Sequence, residues 1–248
     1  MKITAETRTS VKHNHALITP DGYVSSAIPG WENCEINVII NPAMGAKLSQ
    51  LHYTMEENGT GKGQTEQSEI FFYIVKGTCD LTANGQRFSF KKGSYVYLPP
   101  KSEYQFTSKE AGTKLLSFTK EFESLDGFKT PDMRTGHESD HEQNVYLDDP
   151  QLLMQNLIPD DLAFDMAVNI FTYLPGGNLP FVETHIMEHG LLYLAGQGIY
   201  RLDDEWYPVQ EGDAIWMAPY CPQWFTAMGK EPAVYIYYKN TNRFPQPY

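Results

Sequence analysis

The chain has 248 residues, of which 41% are hydrophobic and 20% are charged. This composition excludes a disordered protein, and the length allows either one large domain or two compact ones. Lys and Arg number 19 against 31 Asp and Glu. The resulting net charge of −12 argues against binding to nucleic acid or to an anionic membrane surface.

Two further features bear on location and cofactors. No apolar run approaches the length of about 18 residues that a membrane-spanning helix needs, and the first residues lack the apolar core of a signal peptide. We therefore expect a cytoplasmic protein. The cysteines, Cys34, Cys79 and Cys221, are far apart and in no Cys-x-x-Cys pair, so neither a disulfide framework nor a zinc knuckle is predicted.

Short segments rich in Val, Ile, Tyr and Phe recur along the chain, with Gly, Pro, Asn or Asp near their ends. This pattern is typical of an all-β protein, and helical periodicity is scarce. The predicted strands, in chain order, are Ile36–Ile40, Ile70–Val75, Tyr95–Leu98, Ile170–Tyr173, Leu191–Leu194, Ala214–Met217 and Val234–Tyr238.

One sequence pattern occurs twice. The first copy leads from NVIINPAMGAK to SEIFFYIVKGTCDLTANGQRFSFKKGSYVYLPPKSEYQF, and the second from VNIFTYLPGGN to MEHGLLYLAGQGIYRLDDEWYPVQEGDAIWMAPYCPQWF. From Pro42 to Gly93 is 51 residues, whereas from Pro175 to Gly212 is 37. We assign the surplus of 14 residues to MEENGTGKGQTEQ, which is polar and rich in glycine and is predicted to form a loop.

The order of strand, hairpin, glycine turn, strand and proline resembles the cupin family of double-stranded β-helix, or jelly-roll, barrels. The duplication resembles a bicupin. The fold class predicted is therefore all-β, with two cupin barrels in tandem. Residues 1–121 are assigned to the N-terminal barrel, 122–160 to a charged linker that crosses between the barrels, and 161–248 to the C-terminal barrel.

The segment ETHIMEH, residues 183–189, concentrates potential metal ligands. On a helix, His-x-x-Glu-His would be an inverzincin metalloprotease signature. On a strand, Glu183, His185 and His189 share one face and Glu188 points to the other. The neighbouring prolines and glycines leave too little uninterrupted chain for a helix, so we favour the strand.

Against the cupin pattern, Glu183 stands at the position of the first histidine, His185 keeps its position, and His189 occupies the position of the glutamate. Gln223, four residues after Pro219, replaces the last histidine. Two imidazoles and two oxygen donors suit an octahedral divalent ion such as Mn²⁺ better than a tetrahedral zinc site. The first copy lacks such ligands, and Tyr104 stands where the second copy has Gln223. We therefore predict a metal-free, structural first barrel.

The pattern Glu-x-His-x-x-x-His, a glutamine in the second motif and the ending YIYYKNTNR together resemble the (S)-ureidoglycine aminohydrolase family. The resemblance implies a manganese-dependent enzyme that releases ammonia from (S)-ureidoglycine to give (S)-ureidoglycolate, in allantoin and purine breakdown. It implies four metal ligands: Glu183, His185, His189 and Gln223. It also implies substrate contacts at Lys239 and Tyr235, with Tyr200 a weaker candidate.

The residues around Lys239 are compatible with that role but leave an alternative open. Tyr235, Tyr237 and Lys239 share strand parity, and an inward lysine is costly unless an anion such as a substrate carboxylate pairs with it. A lysine facing solvent at the end of a strand is the alternative. Glu183 and Lys239 are the catalytic candidates, and Glu183, Gln223, Tyr235, Lys239 and Tyr200 the substrate-binding ones.

Other functions remain open at this point. Another metal cupin, such as a dioxygenase or an oxalate-type oxidase, and a non-catalytic bicupin that binds a small metabolite fit the same barrels. Whether Glu183 is only a ligand or also transfers protons is undecided. We expect a small anionic substrate, no nucleic-acid or membrane partner, and a homo-oligomer.

Overall fold

The computed structural model describes residues 7–243, which are built almost entirely from strands. The ends of the two predicted domains, residues 1–6 and 244–248, lie outside the described residues. Three short 3₁₀ turns occur in the described range, at Pro20–Gly22, Pro42–Met44 and Glu138–Asp140. None of the helical segments there has the length and apolar content to cross a bilayer.

The strands within residues 7–243 are β1 (Ser10–Val11), β2 (His15–Ile18), β3 (Ser25–Ser26), β4 (Trp31–Ile40), β5 (Ser49–Gln64), β6 (Ser68–Lys76), β7 (Thr78–Ala83), β8 (Gln86–Lys91), β9 (Ser94–Leu98), β10 (Glu103–Ser108), β11 (Thr113–Glu121), β12 (Arg134–His137), β13 (Asn144–Tyr146), β14 (Asp149–Asn156), β15 (Ala167–Tyr173), β16 (His189–Ala195), β17 (Gln197–Leu202), β18 (Glu205–Gln210), β19 (Ala214–Met217), β20 (Gln223–Met228) and β21 (Ala233–Lys239). They form two barrels, which confirms the predicted all-β class and the tandem jelly-roll architecture.

In the first barrel the strands follow the order β12-β9-β6-β11-β5-β10-β7-β8, with β4 on β5 and β3 on β4. The long strand β5 pairs with β11 along its first half and with β10 along its second half, so it joins the two layers of the barrel. The second barrel has the order β1-β2-β19-β16-β21-β15-β14-β13, closed by the sheet β18-β17-β20.

The loop predicted for MEENGTGKGQTEQ is wrong, because β5 continues through it to Gln64. Backbone hydrogen bonds to β10 hold this stretch, and they are indifferent to side-chain polarity. Glycine is needed here for space: a Cβ on Gly61 would lie 2.2 Å from the Trp31 ring, and one on Gly63 would lie 2.5 Å from the Tyr104 hydroxyl.

The structure also corrects the expected division of the chain. Strand β2, which precedes the first barrel, pairs with β19 of the second, and β12, which follows the first barrel, pairs with β9 of the first. Residues 122–160, expected to be a linker, also supply β13 and β14 to the second barrel. An uncovered edge strand exposes unpaired backbone groups, and these added strands cover the edges of β19 and β9.

The two barrels pack face to face through an apolar core. Its buried residues come from both barrels: Leu48, Phe71, Tyr73, Tyr95, Tyr97, Leu116 and Phe118 from the first, and Leu157, Ile158, Phe164, Met166, Val168, Ile170, Leu192, Ile236 and Tyr238 from the segment 157–238. At the edge of this core, the Glu188 carboxylate accepts hydrogen bonds from the backbone N–H groups of Lys47 and Leu48 and from the Tyr238 hydroxyl. Glu188 therefore faces the first barrel, away from His189's ligand face, as strand parity predicts.

Candidate metal centre and active site

A cavity of about 170 Å³ lies inside the second barrel. Its lining includes every site residue predicted from the sequence: Glu183, His185, His189, Tyr200, Gln223, Tyr235 and Lys239. Its remaining walls are aromatic or apolar side chains: Tyr146, Phe171, Leu179, Met187, Leu191, Met217 and Tyr237. The cavity is smaller than the roughly 300–1,000 Å³ of pockets for drug-sized ligands, so it suits a small metabolite.

The ligand-rich segment is not helical, but it is a regular strand only at its end. Glu183 forms an isolated antiparallel bridge with Gln223, through backbone hydrogen bonds of 2.8 and 2.9 Å, and β16 begins at His189. Between them, the His185 carbonyl accepts a 2.7 Å hydrogen bond from the Tyr220 N–H. These backbone contacts fix Glu183 directly beside Gln223 and anchor His185 to the turn before β20.

The two histidines converge through their Nε2 atoms, which are 3.1 Å apart. His189 Nδ1 lies 3.0 Å from the Tyr238 carbonyl oxygen, which only accepts hydrogen bonds, so the ring proton is on Nδ1 and Nε2 carries a free lone pair. His185 Nε2 also contacts Gln223 Nε2, an amide donor, at 2.8 Å. His185 Nε2 is then an acceptor as well, and two lone pairs face each other.

Opposed lone pairs at this distance repel, and a shared cation would relieve the repulsion. The other nitrogen of the ring, His185 Nδ1, is buried without a hydrogen-bond partner among residues 7–243. Burial lowers the pKa of His185, and burial together with the neighbouring His185 lowers the pKa of His189 to about 3. Both rings are therefore neutral, which is the state that binds metals.

Among the described residues, the Glu183 side chain hydrogen-bonds to Tyr146 and not to the histidines or Gln223. Glu183 Oε1 accepts a 3.2 Å hydrogen bond from the Tyr146 hydroxyl, and burial raises the Glu183 pKa, against the opposing effects of Tyr146 and Lys239. Within residues 7–243, no three His, Cys, Asp or Glu side chains are grouped tightly enough to hold an ion by themselves. His185, His189 and Gln223 are in direct contact with one another, and all four metal ligands, Glu183 included, stay predictions.

Lys239 ends β21 directly opposite His189 and lines the cavity. It makes no ion pair within 4.0 Å among the described residues, and burial lowers its pKa. The alternative of a solvent-facing strand end therefore does not hold. An unpaired, half-buried ammonium group inside a small cavity is a ready partner for an anion.

The two predicted tyrosines have distinct positions. The Tyr200 hydroxyl donates to Gln223 Oε1 at 3.0 Å, so it orients the amide. The Tyr235 hydroxyl is 3.1 Å from that of Tyr173, deeper in the aromatic core of the barrel.

Sequence reasoning missed Tyr146, which comes from the segment assigned to the linker. Its hydroxyl holds Glu183 and its ring packs at a centroid distance of 5.1 Å from that of Phe171. The signal for it is weak: Val145 and Tyr146 are the apolar pair within a polar stretch, which is a minimal strand pattern.

Comparisons with known proteins agree with this geometry. A family model described as EutQ-like cupin domain matches residues 49–115, and one described as cupin domain matches residues 169–238. The chain is 36% identical to (S)-ureidoglycine aminohydrolase of Escherichia coli, over 95% of this chain and 92% of the relative. It is 37% identical to the enzyme of that name from Arabidopsis thaliana, over 96% of this chain and 80% of the relative.

A solved structure is similar along its whole length. The crystal structure of protein Ylba from E. coli superposes with a TM-score of 0.87 at 33% sequence identity, and the match covers 97% of each chain. The identity with the E. coli relative extends over nearly the whole of both chains, so it covers both barrels, including the second barrel that holds the candidate site. The chain therefore belongs to the (S)-ureidoglycine aminohydrolase family of bicupins.

Proposed function

We propose that this protein hydrolyses (S)-ureidoglycine to (S)-ureidoglycolate and ammonia, a step of allantoin and purine breakdown. Water adds to the carbon that bears both nitrogens, and the bond from this carbon to the amino nitrogen breaks, so that one ammonia leaves for each water consumed. The observation that carries the proposal is the small cavity in which two neutral imidazoles, an amide and a carboxylate face an unpaired lysine. The family relatives bear the name of this reaction.

We further propose a divalent metal, manganese, held by His185, His189, Gln223 and Glu183. The Nε2 atoms of the two histidines point at each other, which fits a cation between the rings, and Gln223 would bind it through Oε1 after its amide turns from the orientation in which Nε2 faces His185. When bound, such an ion would stabilise the negative charge that develops on the substrate. Carboxylate, amide and imidazole donors suit Mn²⁺, although affinity alone favours later ions of the first row.

Lys239 supplies the second electrostatic element. Its ammonium group pairs with the substrate carboxylate and fixes that end of the molecule at one side of the cavity. With the carboxylate held by Lys239 and the reacting carbon beside the imidazoles, one enantiomer presents its amino group to the catalytic residues. The apolar walls exclude bulk water and strengthen the ion pair.

Glu183 is the side chain placed to move a proton. Its carboxylate lies in the cavity wall with Tyr146 on one oxygen, and burial raises its pKa. It can accept a proton from the attacking water and return one to the leaving ammonia. Replacing Glu183 by Gln keeps the shape and removes this capacity; full activity in a metal-replete Glu183→Gln protein would reject the proton-transfer role.

The direct test uses freshly prepared ureidoglycine and the manganese-loaded protein, with ammonia release and the chirality of the product followed together. We expect ammonia release well above spontaneous decay and a single enantiomer of ureidoglycolate. Ammonia release no faster than spontaneous decay rejects the proposal. Oxygen consumption with a redox-active metal would instead favour a dioxygenase or oxidase, and saturable binding without turnover a metabolite-binding bicupin.

Lys239→Met tests the substrate contact, with Lys230→Met, an exposed lysine outside the cavity lining, as the matched control. We expect the first to raise KM and lower kcat/KM by about a hundredfold, because a buried charge partner is lost, and the control to stay within about twofold of the native protein. Unchanged kcat and KM in Lys239→Met would remove Lys239 from the site.

A further inference from the structure

A second and larger cavity, of about 470 Å³, lies between the two barrels. It shares no lining residue with the candidate metal centre, although strand β16 contributes different residues to both cavities. The first barrel lines it with parts of β4, β5, β6 and β11, and the second barrel with β16 and the turn at Gly212. Its volume falls in the range of small-molecule sites, roughly 300–1,000 Å³.

The charge of this cavity is opposite to that of the whole molecule. Lys76, Lys92 and Lys114 line it, and Glu211 is the carboxylate of the lining. None of the three lysines makes an ion pair within 4.0 Å among residues 7–243. In a chain with a net charge of −12, three unpaired lysines around one cavity create a local positive potential.

A neutral hydrogen-bond donor lies in the same wall. Gln50 Nε2 lies 3.3 Å from the Leu191 carbonyl oxygen, which only accepts, so the nitrogen is the atom that faces both this carbonyl and His52 Nε2, at 3.0 Å. His52 Nε2 is therefore an acceptor, and the ring proton is on Nδ1. This N–H makes no hydrogen bond to another group in the described part of the chain and is available to a ligand.

The remaining lining is apolar or aromatic. Val75, Leu192 and Leu194 contribute aliphatic surface, and the Tyr23 ring lies edge-on to His52 at a centroid distance of 5.4 Å. The Tyr23 hydroxyl is engaged with the Gly212 carbonyl at 2.8 Å, which ties the N-terminal segment to the wall of the second barrel. The cavity thus combines a cationic rim, one imidazole donor and an apolar floor.

We propose that this cavity binds a small organic anion with an apolar body, whose carboxylate, sulfonate or phosphate group lies among Lys76, Lys92 and Lys114. The apolar body lies against Val75, Leu192 and Leu194, and His52 Nδ1–H donates to the ligand. The occupant contacts both barrels and touches β16, the strand that begins with His189. This site is independent of the proposed reaction.

The test uses the fluorescent aryl sulfonate 8-anilinonaphthalene-1-sulfonate, which has an anionic group on an aromatic body, titrated into the full-length protein. The variant Lys76→Gln/Lys92→Gln/Lys114→Gln removes the rim charges. The control Lys91→Gln/Lys101→Gln/Lys230→Gln changes the net charge equally, at exposed lysines outside the cavity lining. All six lysines are exposed, so both proteins are expected to fold.

We expect one saturable binding event in the native protein and in the control triple. In the rim triple we expect an affinity lower by about tenfold or more, because three nearby charges are lost. The Lys239→Met variant should bind the probe as the native protein does, which separates this cavity from the other. The absence of saturable binding to the native protein, or equal affinities in the two triple variants, would overturn the proposal.

Discussion

The two barrels share their strand order and differ in one segment. The order β9-β6-β11-β5-β4 in the first corresponds to β19-β16-β21-β15-β14 in the second. Strand β5 continues past this sheet and pairs with β10 as regular strand. In the second barrel β15 ends at Tyr173, and the chain then pairs with β20 through isolated bridges at Asn178 and Glu183 rather than as a regular strand. The segment 183–189, which carries the predicted metal ligands, follows this break in the pairing with β20.

The pairing register identifies the counterparts of the site residues. Glu183 faces Gln223 as Gly63 faces Tyr104, and His189 faces Met217 as Ile70 faces Leu98. By the same register, Thr119 is opposite Ile70 as Lys239 is opposite His189. Glycine, isoleucine, tyrosine and threonine thus stand in the first barrel where the second has polar and charged groups.

Aromatic rings fill the interior of the first barrel. Trp31 stacks on Tyr53 at a centroid distance of 4.2 Å, and Phe106 packs on Phe72 at 4.9 Å. Glycines on β5 make room for these rings. Equivalent positions of the duplicated fold therefore serve packing in the first barrel and line a polar cavity in the second.

Converting His189 to the residue at its counterpart has the largest expected effect. His189→Ile places an aliphatic side chain at a buried position, as Ile70 does in the first barrel, so we expect the fold to persist. Ammonia release from ureidoglycine should fall by about a thousandfold or more. Removing a residue that only hydrogen-bonds to a metal ligand already lowers metal affinity or activity by roughly 10- to 100-fold. Circular dichroism checks the fold, and retained activity in a folded His189→Ile protein would contradict a role for this ring.

A cavity in the first barrel should act on stability. Phe106 is 0% exposed, and Phe106→Ala should lower the free energy of unfolding by about 3–5 kcal/mol. Chemical denaturation measures this change, with Phe106→Leu as the milder control, which should cost less. The kcat/KM of the folded variant should stay within about twofold of the native value. A large loss of activity in a fully folded Phe106→Ala protein would mean that the first barrel takes part in catalysis.

A buried glutamate precedes the counterpart position in each barrel, and the two are held differently. Glu188 accepts two backbone N–H bonds and one from Tyr238, whereas Glu69 accepts one from Tyr97 and its Oε1 has no partner among the described residues. Burial raises the pKa of Glu69 to about 7, against the opposing effect of the Tyr97 hydrogen bond.

The shift at Glu69 predicts a pH dependence of stability. Below the ordinary pKa of a glutamate, about 4.5, Glu69 is protonated in both the folded and the unfolded chain, so it does not change the free energy of unfolding with pH. Between about pH 4.5 and 7 only the unfolded chain ionises at this residue, so the free energy of unfolding should fall with rising pH by about 3 kcal/mol. In Glu69→Gln this part of the pH dependence should vanish in denaturant titrations; an identical profile in both proteins would contradict the shift.

The smallest expected effect concerns a single hydroxyl. Tyr200→Phe removes the hydrogen bond to Gln223 Oε1, and one such bond is worth about 1 kcal/mol, so we expect kcat/KM to fall by about fivefold. Tyr193→Phe is the matched control, because the Tyr193 hydroxyl is buried in the same barrel without a partner in residues 7–243. Equal kinetics in the two variants would remove Tyr200 from the site.

The sequence alone predicts the architecture and the cavity lining well, for a local reason. Strand alternation depends on neighbouring residues, and the predicted ligands Glu183, His185 and His189 lie within seven residues. The strand prediction at Leu191–Leu194 falls within β16, and Gln223 follows from its spacing after Gly212. Features that depend on residues close together in the sequence could therefore be predicted.

The errors concern contacts between distant parts of the chain. Nothing in the residues of β2 indicates that it joins the second barrel, and nothing in those of β12, expected in a linker, indicates that it joins the first, because backbone pairing carries no side-chain signature. Tyr146 was missed for the same reason, since only the folding of β13 against β14 brings it to Glu183. Manganese as the metal, the cytoplasmic location and the homo-oligomer stay predictions.

The stoichiometry of manganese binding tests most directly the claim that duplication of the fold has produced one metal site. Chelator-treated protein is dialysed against Mn²⁺, and bound metal is counted per chain for the native protein and for His189→Ile. We predict one ion per native chain and none per His189→Ile chain. Two ions per native chain, or one that remains in the folded His189→Ile protein, would contradict the account.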